Sequence, residues 1–455
     1  MLGKEVNYGK MQLTHHGGHA GVTGSCHELH YSNSRSLLVD CGLFQGKDAA
    51  RQTSLEIEFP VDSITAAVLT HAHIDHVGRL PYLLAAGYKG PLICSQPTAR
   101  LLPLVLEDAL KLGFTRKRWL IARVLAEVEQ RLVPLDYNSW HAVDAELRVR
   151  LQRAGHILGS AYIEADTGGQ RIVFSGDLGA PHTPLLYSPR SPARADLLVL
   201  ESTYGDRLHE GRRDRRSRLR AVLERTLENG GATIVPAFSL GRTQELLYEI
   251  NAILGDLVKD AKMDRRLQEV DVIVDSPLAS RFTQAYEDCE GFWDEEAKAR
   301  VRAGDQPLVF ENLMTVADHK QHSWTVDYLR RKAPPSVVIA GSGMCTGGRV
   351  VNYLKALLGD ERTDVVFVGY LAEGMPGRAL QAGKRRVTID GKVLPVKARV
   401  HSLSGYSAHA DQADLLRYVR GIRRGPDRIV LVHGEAAAKR ALRVKLSAWQ
   451  GKEHG

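Results

Sequence analysis

The sequence predicts an α/β protein, and three observations carry that prediction. Apolar, strand-like runs at 64–69, 171–174 and 429–432 are each followed closely by a residue able to hold a metal. From about 205 to 363, strand-like runs alternate with helix-like ones, the pattern of a parallel sheet flanked by helices. The run 429–432 then returns to another ligand-type residue. The expected organisation is a strand-rich domain in two parts, 1–204 and 364–455, interrupted by an inserted α/β domain of parallel-sheet type at 205–363.

Taken in order, residues 1–12 carry no apolar segment of the kind a secretion signal needs. Asp40 ends the run Leu37-Leu38-Val39. After 64–69 comes His71-Ala72-His73-Ile74-Asp75-His76, four ligand-type residues within six positions. Neutral imidazole nitrogen and carboxylate oxygen are the donors zinc takes in open catalytic sites, so this segment can begin two adjacent metal sites. A stretch at 98–131 has helical spacing. His156 follows the run 147–151, Asp177 follows 171–174, and His433 follows 429–432. A polar side chain at the end of a buried strand lies on the rim of its sheet. One rim could therefore gather all of these residues, although singly His156 or His433 reads as a structural histidine.

In the middle of the chain, 232–236 precedes a helix-like 242–254, 270–274 precedes 278–286, and 337–340 precedes 350–358. The strands 365–368 and 396–400 are expected to lead back into the first domain. The cluster Arg212-Arg213-Asp214-Arg215-Arg216-Ser217-Arg218-Leu219-Arg220 continues into a helical pattern. It reads as a solvated helix face or, less favoured, as a nucleic-acid contact.

Composition agrees with a soluble enzyme. Lys and Arg number 61 against 53 Asp and Glu, a net charge of +8 that suits a polyanionic partner. The five cysteines are scattered, without a Cys-x-x-Cys, so neither a disulfide framework nor a cysteine metal cluster is indicated. No apolar run is long enough to span a membrane, and the expected location is cytoplasmic.

His71-Ala72-His73-Ile74-Asp75-His76, His156 and Asp177 resemble the ligand motifs of the metallo-β-lactamase fold, a four-layer αββα sandwich with two metals at one edge. Asp40, Glu201 in Glu201-Ser202-Thr203-Tyr204, His409 in Ser407-Ala408-His409-Ala410-Asp411, and His433 in Val432-His433-Gly434-Glu435 extend the likeness. So do Pro236-Ala237-Phe238-Ser239-Leu240-Gly241-Arg242 and Ser342-Gly343-Met344-Cys345-Thr346-Gly347-Gly348-Arg349. Over nearly its whole length the chain resembles the β-CASP subfamily of nucleases, and no ligand position is lost. The resemblance implies two zinc ions per chain, one held by His71, His73 and His156, the other by Asp75, His76 and His433, with Asp177 bridging. It implies a catalytic set of His409, Glu201 and Asp40. His409 would be the general acid, Glu201 would orient it, and Asp40 would fix a ligand histidine.

The reaction so implied is hydrolysis of an RNA phosphodiester by metal-bound hydroxide, leaving 5′-phosphate and 3′-hydroxyl ends. RNA is expected because DNA-processing members typically carry valine at the position of His433. The RNA is expected to be single-stranded, under an inserted domain acting as a lid, and a homodimer is left open. Ser239, Arg242, Ser342, Arg349 and Arg378 are candidates for phosphate binding, since loops that open helices present backbone N–H groups to anions. Absence of the long C-terminal extension typical of ribonuclease J favours endonuclease action. Two other readings use the same residues: a small-molecule ester or thioester hydrolase, and a catalytically silent RNA-binding scaffold.

Overall fold

The computed structural model describes residues 4–51, 54–209, 214–258, 270–332, 334–369, 371 and 374–453. The chain divides into two compact units, Met1–Leu208 with His409–Gly455, and His209–Ala408.

In the first unit, β1 (Lys4–Tyr8), β2 (Met11–Gly17), β3 (Cys26–His30), β4 (Ser36–Val39), β5 (Ile64–Val68), β6 (Leu92–Ser95) and β7 (Leu132–Leu135) pair side by side in chain order. Pairing is antiparallel as far as β4 and parallel from there to β7. A second sheet contains β8 (Trp140–Ala142), β9 (Leu147–Arg153), β10 (Ala161–Thr167), β11 (Gln170–Phe174) and β12 (Leu197–Glu201), and is completed beside β12 by the late strand Arg428–Val432. The period-2 alternation of β2 and β9 turns Leu13, Val149 and Leu151 inward. They meet Leu29, Ile163 and Phe174 in one core between the sheets. Burying each such side chain contributes roughly 1.5–3 kcal/mol.

The far face of the second sheet, with Val173, Leu198 and Leu431, is covered by Leu415 and Val419 of helix Gln412–Arg420 and by Leu442 and Leu446 of helix Ala436–Glu453. Helix Gln96–Gly113 packs on β6 and β7 of the first sheet. The layers are therefore α, β, β, α.

The helix expected at 98–131 is two helices, Gln96–Gly113 and Arg118–Arg131. The break is local in origin. Gly113 is a poor helix former, and the Thr115 hydroxyl accepts the Lys117 amide at 3.1 Å, a bond that competes with helix continuation.

In the second unit, β13 (Ala232–Pro236), β14 (Asp271–Asp275), β15 (Leu313–Thr315), β16 (Ser336–Ala340) and β17 (Asp364–Phe367) form a wholly parallel sheet with Arg399–Ser402, in the order β15, β14, β16, β13, β17, Arg399–Ser402. This moves a boundary. Residues 365–368 and 396–400 were expected in the first domain, but β17 pairs with β13 and with Arg399–Ser402, so the chain returns at 409 rather than 364. A parallel strand buried on both faces is apolar throughout and reads alike in either sheet.

Among the described residues, no helix is long and apolar enough to cross a membrane. All five cysteines are buried, and none is in a disulfide among the described residues.

Candidate metal centre

The site of the first unit is assembled from strand ends. Asp40 follows β4, His71 follows β5, His156 follows β9, Asp177 follows β11, Glu201 closes β12, and His433 follows Arg428–Val432. Parallel neighbours deliver their C-terminal ends to the same edge, so residues far apart in sequence meet. The short helix Ile74–Val77 turns Asp75 and His76 toward that edge. Asp40 and His433 both adopt left-handed backbone, with φ of 61° and 48°. Side chains other than glycine pay for this conformation, and it recurs at functional positions. Gly176, at φ 51°, lies so close to Thr70 that an added Cβ would come within 2.7 Å of the threonine Cβ. That approach sets Asp177 beside the His71 segment.

Two donor groups result, and Asp177 touches both. The His73 Nδ1 lies 3.1 Å from His71 Nε2 and 3.0 Å from His156 Nε2. Asp177 Oδ2 is 3.5 Å from His71 Nε2 and 3.6 Å from His156 Nε2. In the other group, His76 Nε2 is 3.2 Å from His433 Nε2, which is 3.4 Å from Asp75 Oδ2. The Asp177 carboxylate reaches this group too, at 3.3 Å from His76 and, through Oδ1, 3.6 Å from His433. All seven side chains expected as ligands are thus brought together.

The spacing fits metal better than hydrogen bonding. Tetrahedral nitrogen and oxygen donors at roughly 2.0–2.1 Å from zinc lie about 3.3–3.4 Å from one another. Asp177 Oδ1 is buried and without a hydrogen-bond partner, as is His156 Nδ1. Protonation points the same way. Burial pushes His71 and His156 well below the ordinary histidine range and His73 down to about 4, leaving the neutral imidazole that a metal takes. His76 is the exception. Burial opposes its charge, but Asp177 and Asp40 outweigh burial and hold it well above its ordinary value, so the site favours a cation there.

Polar neighbours fix the rings. Asp40 Oδ2 accepts from His76 Nδ1 at 2.7 Å and from the Thr70 hydroxyl at 2.8 Å, while Oδ1 accepts the Thr70 amide at 2.7 Å. Thr70 Oγ1 lies 3.0 Å from His71 Nδ1, and Thr203 Oγ1 lies 3.1 Å from His433 Nδ1. In each case Nε2 is left to face the centre. Thr70 and Thr203 were missed in the sequence, because a threonine beside a strand end carries no signal of its own.

His409 stands at the edge of this cluster. Its Nδ1 is 3.3 Å from Glu201 Oε1 and 4.0 Å from Asp177 Oδ2. Glu201 is itself held, accepting the Leu178 amide at 2.8 Å and the Thr203 amide at 3.2 Å. The backbone around His409 is pinned by a bridge to Gly179, by the Ala410 amide donating to Leu178 at 2.7 Å, and by the capping box of Asp411 and Asp414. Burial lowers the His409 pKa, but Glu201, joined by Asp177 and Asp75, outweighs it, so the net displacement is upward.

The phosphate candidates lie in the second unit. Ser239 and Ser342 sit in loops at the C-terminal ends of β13 and β16, and the Ser239 hydroxyl pairs with that of Ser276 at 2.9 Å. The Arg242 guanidinium is buried against Glu245. Arg349 donates to Asp275 at 2.5 Å and to the Val316 carbonyl at 2.9 Å. Arg378 is exposed and donates to Gln381 at 2.7 Å. In the basic cluster, Arg215 pairs with Glu249, Arg216 with Asp256 and Arg220 with Glu224, and Arg218 donates to the Ser402 carbonyl. Arg216 and Arg220 fit an ion-paired helix face, whereas Arg215 is largely buried against Glu249 and the Tyr406 ring and Arg218 is held by a backbone carbonyl; Arg212 and Arg213 lie outside the described residues.

Comparison with known proteins agrees with the geometry. Residues 20–237 match the metallo-beta-lactamase superfamily, 243–380 the Beta-Casp domain, and 393–454 the Zn-dependent metallo-hydrolase RNA specificity domain. Ribonuclease TTHA0252 of Thermus thermophilus is 38% identical over 97% of this chain and 97% of its own length. Transcription termination factor FttA of Methanocaldococcus jannaschii is 31% identical over 92% of this chain, which spans 66% of that longer protein. A crystal structure of a protein of unknown function from Enterococcus faecalis shares the fold, with a TM-score of 0.51 and 15% identity over 93% of this chain and 94% of the other. The chain is a member of the β-CASP family of metal-dependent hydrolases within the metallo-β-lactamase superfamily.

Proposed function

We infer that this protein is a metal-dependent ribonuclease, and we propose that it cuts internally in single-stranded cytoplasmic RNA, with two zinc ions, leaving 5′-phosphate and 3′-hydroxyl ends. The observation that carries this reading is the pair of donor groups sharing Asp177, with His409 and Glu201 at their edge. His71, His73 and His156 would hold one ion and Asp75, His76 and His433 the other, with Asp177 between them. Zinc held there supplies Lewis acidity toward a phosphoryl oxygen and acidifies water.

The chain's own groups supply the rest. His409 protonates the departing 3′ oxygen, and Glu201 orients the ring and supports its charge. Asp40, through His76 and Thr70, keeps two imidazoles turned the right way. The loops of Ser239 and Ser342, with Arg378, receive backbone phosphates. Arg242 and Arg349, each already paired, act by stiffening those loops. The full-length likeness to a protein named a ribonuclease and the match to an RNA specificity domain support RNA as substrate over a small ester.

The test uses circular RNA and 5′-blocked linear RNA. Cleavage of both, abolished by chelation and restored by zinc, is the expected result. Cleavage that persists in excess chelator overturns the mechanism, and inert circular RNA with a trimmed linear one overturns the internal mode.

A further inference from the structure

The turn joining helices Gln96–Gly113 and Arg118–Arg131 breaks several rules of a protein surface at once. Leu112, Phe114 and Trp119 are large apolar side chains exposed at 82%, 56% and 64%. Between Lys111 and Arg123 the sequence has five cations and no acid. Arg116, Lys117 and Arg118 are all exposed, and no ion pair is formed by any of the three among the described residues. The last two begin a helix of 14 residues whose N-terminus has no side-chain cap.

Acidic residues and a capping side chain normally occupy that position, because the first N–H groups and the helix dipole attract negative charge. Cations there oppose the dipole. Local rules of this kind are broken chiefly at functional sites, and the group that these cations and helix N–H donors would accept is an anion. The turn is nonetheless built: the Phe114 and Thr115 amides both donate to the Leu110 carbonyl, the Thr115 hydroxyl accepts the Lys117 amide just ahead of the helix, and Phe114 lies edge-on to Tyr82 with ring centroids 6.2 Å apart.

We propose that this turn is a second RNA-contacting surface, at which Arg116, Lys117 and Arg118 bind backbone phosphates and Phe114 and Trp119 stack on unpaired bases. The proposal rests on the ribonuclease reading above. Cations interleaved with exposed aromatic rings are the combination that single-stranded nucleic acid recognises, since phosphates release counterions to the former and base faces pack on the latter. A lone apolar patch would suit a protein partner; this one is saturated with positive charge.

Its place relative to the centre follows from the helix. Thr98, in the first turn, donates to the Gly159 carbonyl at 2.9 Å, in the loop that carries His156. A rise of 1.5 Å per residue puts Gly113 roughly 20 Å further along. The surface therefore engages only an RNA long enough to extend beyond the cleavage site. It gives this chain affinity for long unstructured substrates while leaving the chemistry untouched.

The experiment compares the zinc-loaded full-length protein with Arg116→Glu/Lys117→Glu/Arg118→Glu, Trp119→Ala and Phe114→Ala, on a long unstructured RNA and on a tetranucleotide. All these side chains are exposed, so melting temperatures should match. The triple variant should bind long RNA at least tenfold more weakly, and its log–log salt slope should flatten by about 2, as expected on losing three phosphate contacts to a single strand. Each aromatic variant should lose fivefold or more. In all three, KM for long RNA rises while kcat and tetranucleotide cleavage stay as in the wild type.

Wild-type affinity and KM in the variants would overturn the proposal while leaving the ribonuclease reading intact. So would equal losses on the tetranucleotide, binding of anionic phospholipid vesicles that only the variants lose, or a wild-type dimer that only the variants dissociate. Failure of the wild type itself to bind or cut RNA would instead remove the reading on which the proposal stands.

Discussion

Asp40 and His76 meet through a buried contact, Nδ1 to Oδ2, at 2.7 Å, and both side chains are 1% exposed. The carboxylate is turned away from the centre, because its other bonds go to Thr70 and Ser25. Its effect passes through the histidine. Such partners fix ring orientation and raise ligand basicity, so their loss usually costs 10–100-fold in metal affinity or activity. Asp40→Asn, which keeps the shape and can still accept one bond, should bind zinc about tenfold more weakly, and Asp40→Ala about a hundredfold. Metal content after dialysis against graded chelator measures this, and unchanged occupancy in Asp40→Ala would show that Thr70 alone suffices.

A second buried carboxylate, Asp275, should matter for stability and not for metal. It accepts bonds from His322, Arg349 and Tyr353, each at 2.5 Å. Removing it leaves a guanidinium that the fold has already drawn partly out of water, a change that costs about 3–5 kcal/mol for a buried pair. Asp275→Ala should lower the melting temperature markedly while zinc content per folded molecule stays constant. Loss of zinc at unchanged melting temperature would contradict this division.

Much of the centre was legible because its donors are of rare types and follow apolar runs: four in 71–76, then His156, Asp177 and His433. The supporting threonines were not. Thr70 and Thr203 act through the direction of one hydroxyl, which depends on backbone geometry after the strand. Nor could sequence tell a paired arginine from a solvent-facing one. Arg349 and Arg378 look alike in composition, yet Asp275 holds the first, from a strand 74 residues away, and the second is exposed. The misplaced boundary at 364 has the same origin, since Asp364-Val365-Val366-Phe367 would serve either sheet and only its pairing with β13 decides.

Glu245 makes stability depend on pH. Burial pushes its carboxyl up to about 7, against partial relief from Arg242 and Arg215, and Oε1 has no hydrogen-bond partner. The folded value lies above the unfolded one, so the protonated form favours folding. That contribution is complete below the unfolded pKa of 4.5 and is lost as pH rises through about 7. The loss amounts to about 3 kcal/mol at alkaline pH. Glu245→Gln should therefore match the wild type near pH 4.5 and exceed it in stability above pH 7. Parallel denaturation curves across that range would refute the assignment.

The two late histidines provide the sharpest separation. His433 Nε2 lies 3.2 Å from His76 Nε2 and 3.4 Å from Asp75, inside a donor group. His409 approaches Glu201 at 3.3 Å but Asp177 only at 4.0 Å. His433→Ala should lower metal content and activity together, because a site built from few protein donors loses much affinity with each one removed. His409→Ala should keep its zinc and its affinity for RNA, yet cleave about a hundredfold to ten-thousandfold more slowly, the range for losing a positioned proton donor. Glu201→Gln, which spares the ring but weakens its orientation, should fall between wild type and His409→Ala in rate. Zinc analysis and single-turnover cleavage on the same preparations distinguish these outcomes. Metal loss in His409→Ala with full occupancy in His433→Ala would exchange the two roles, and near-normal turnover in His409→Ala would remove the proton-donor role.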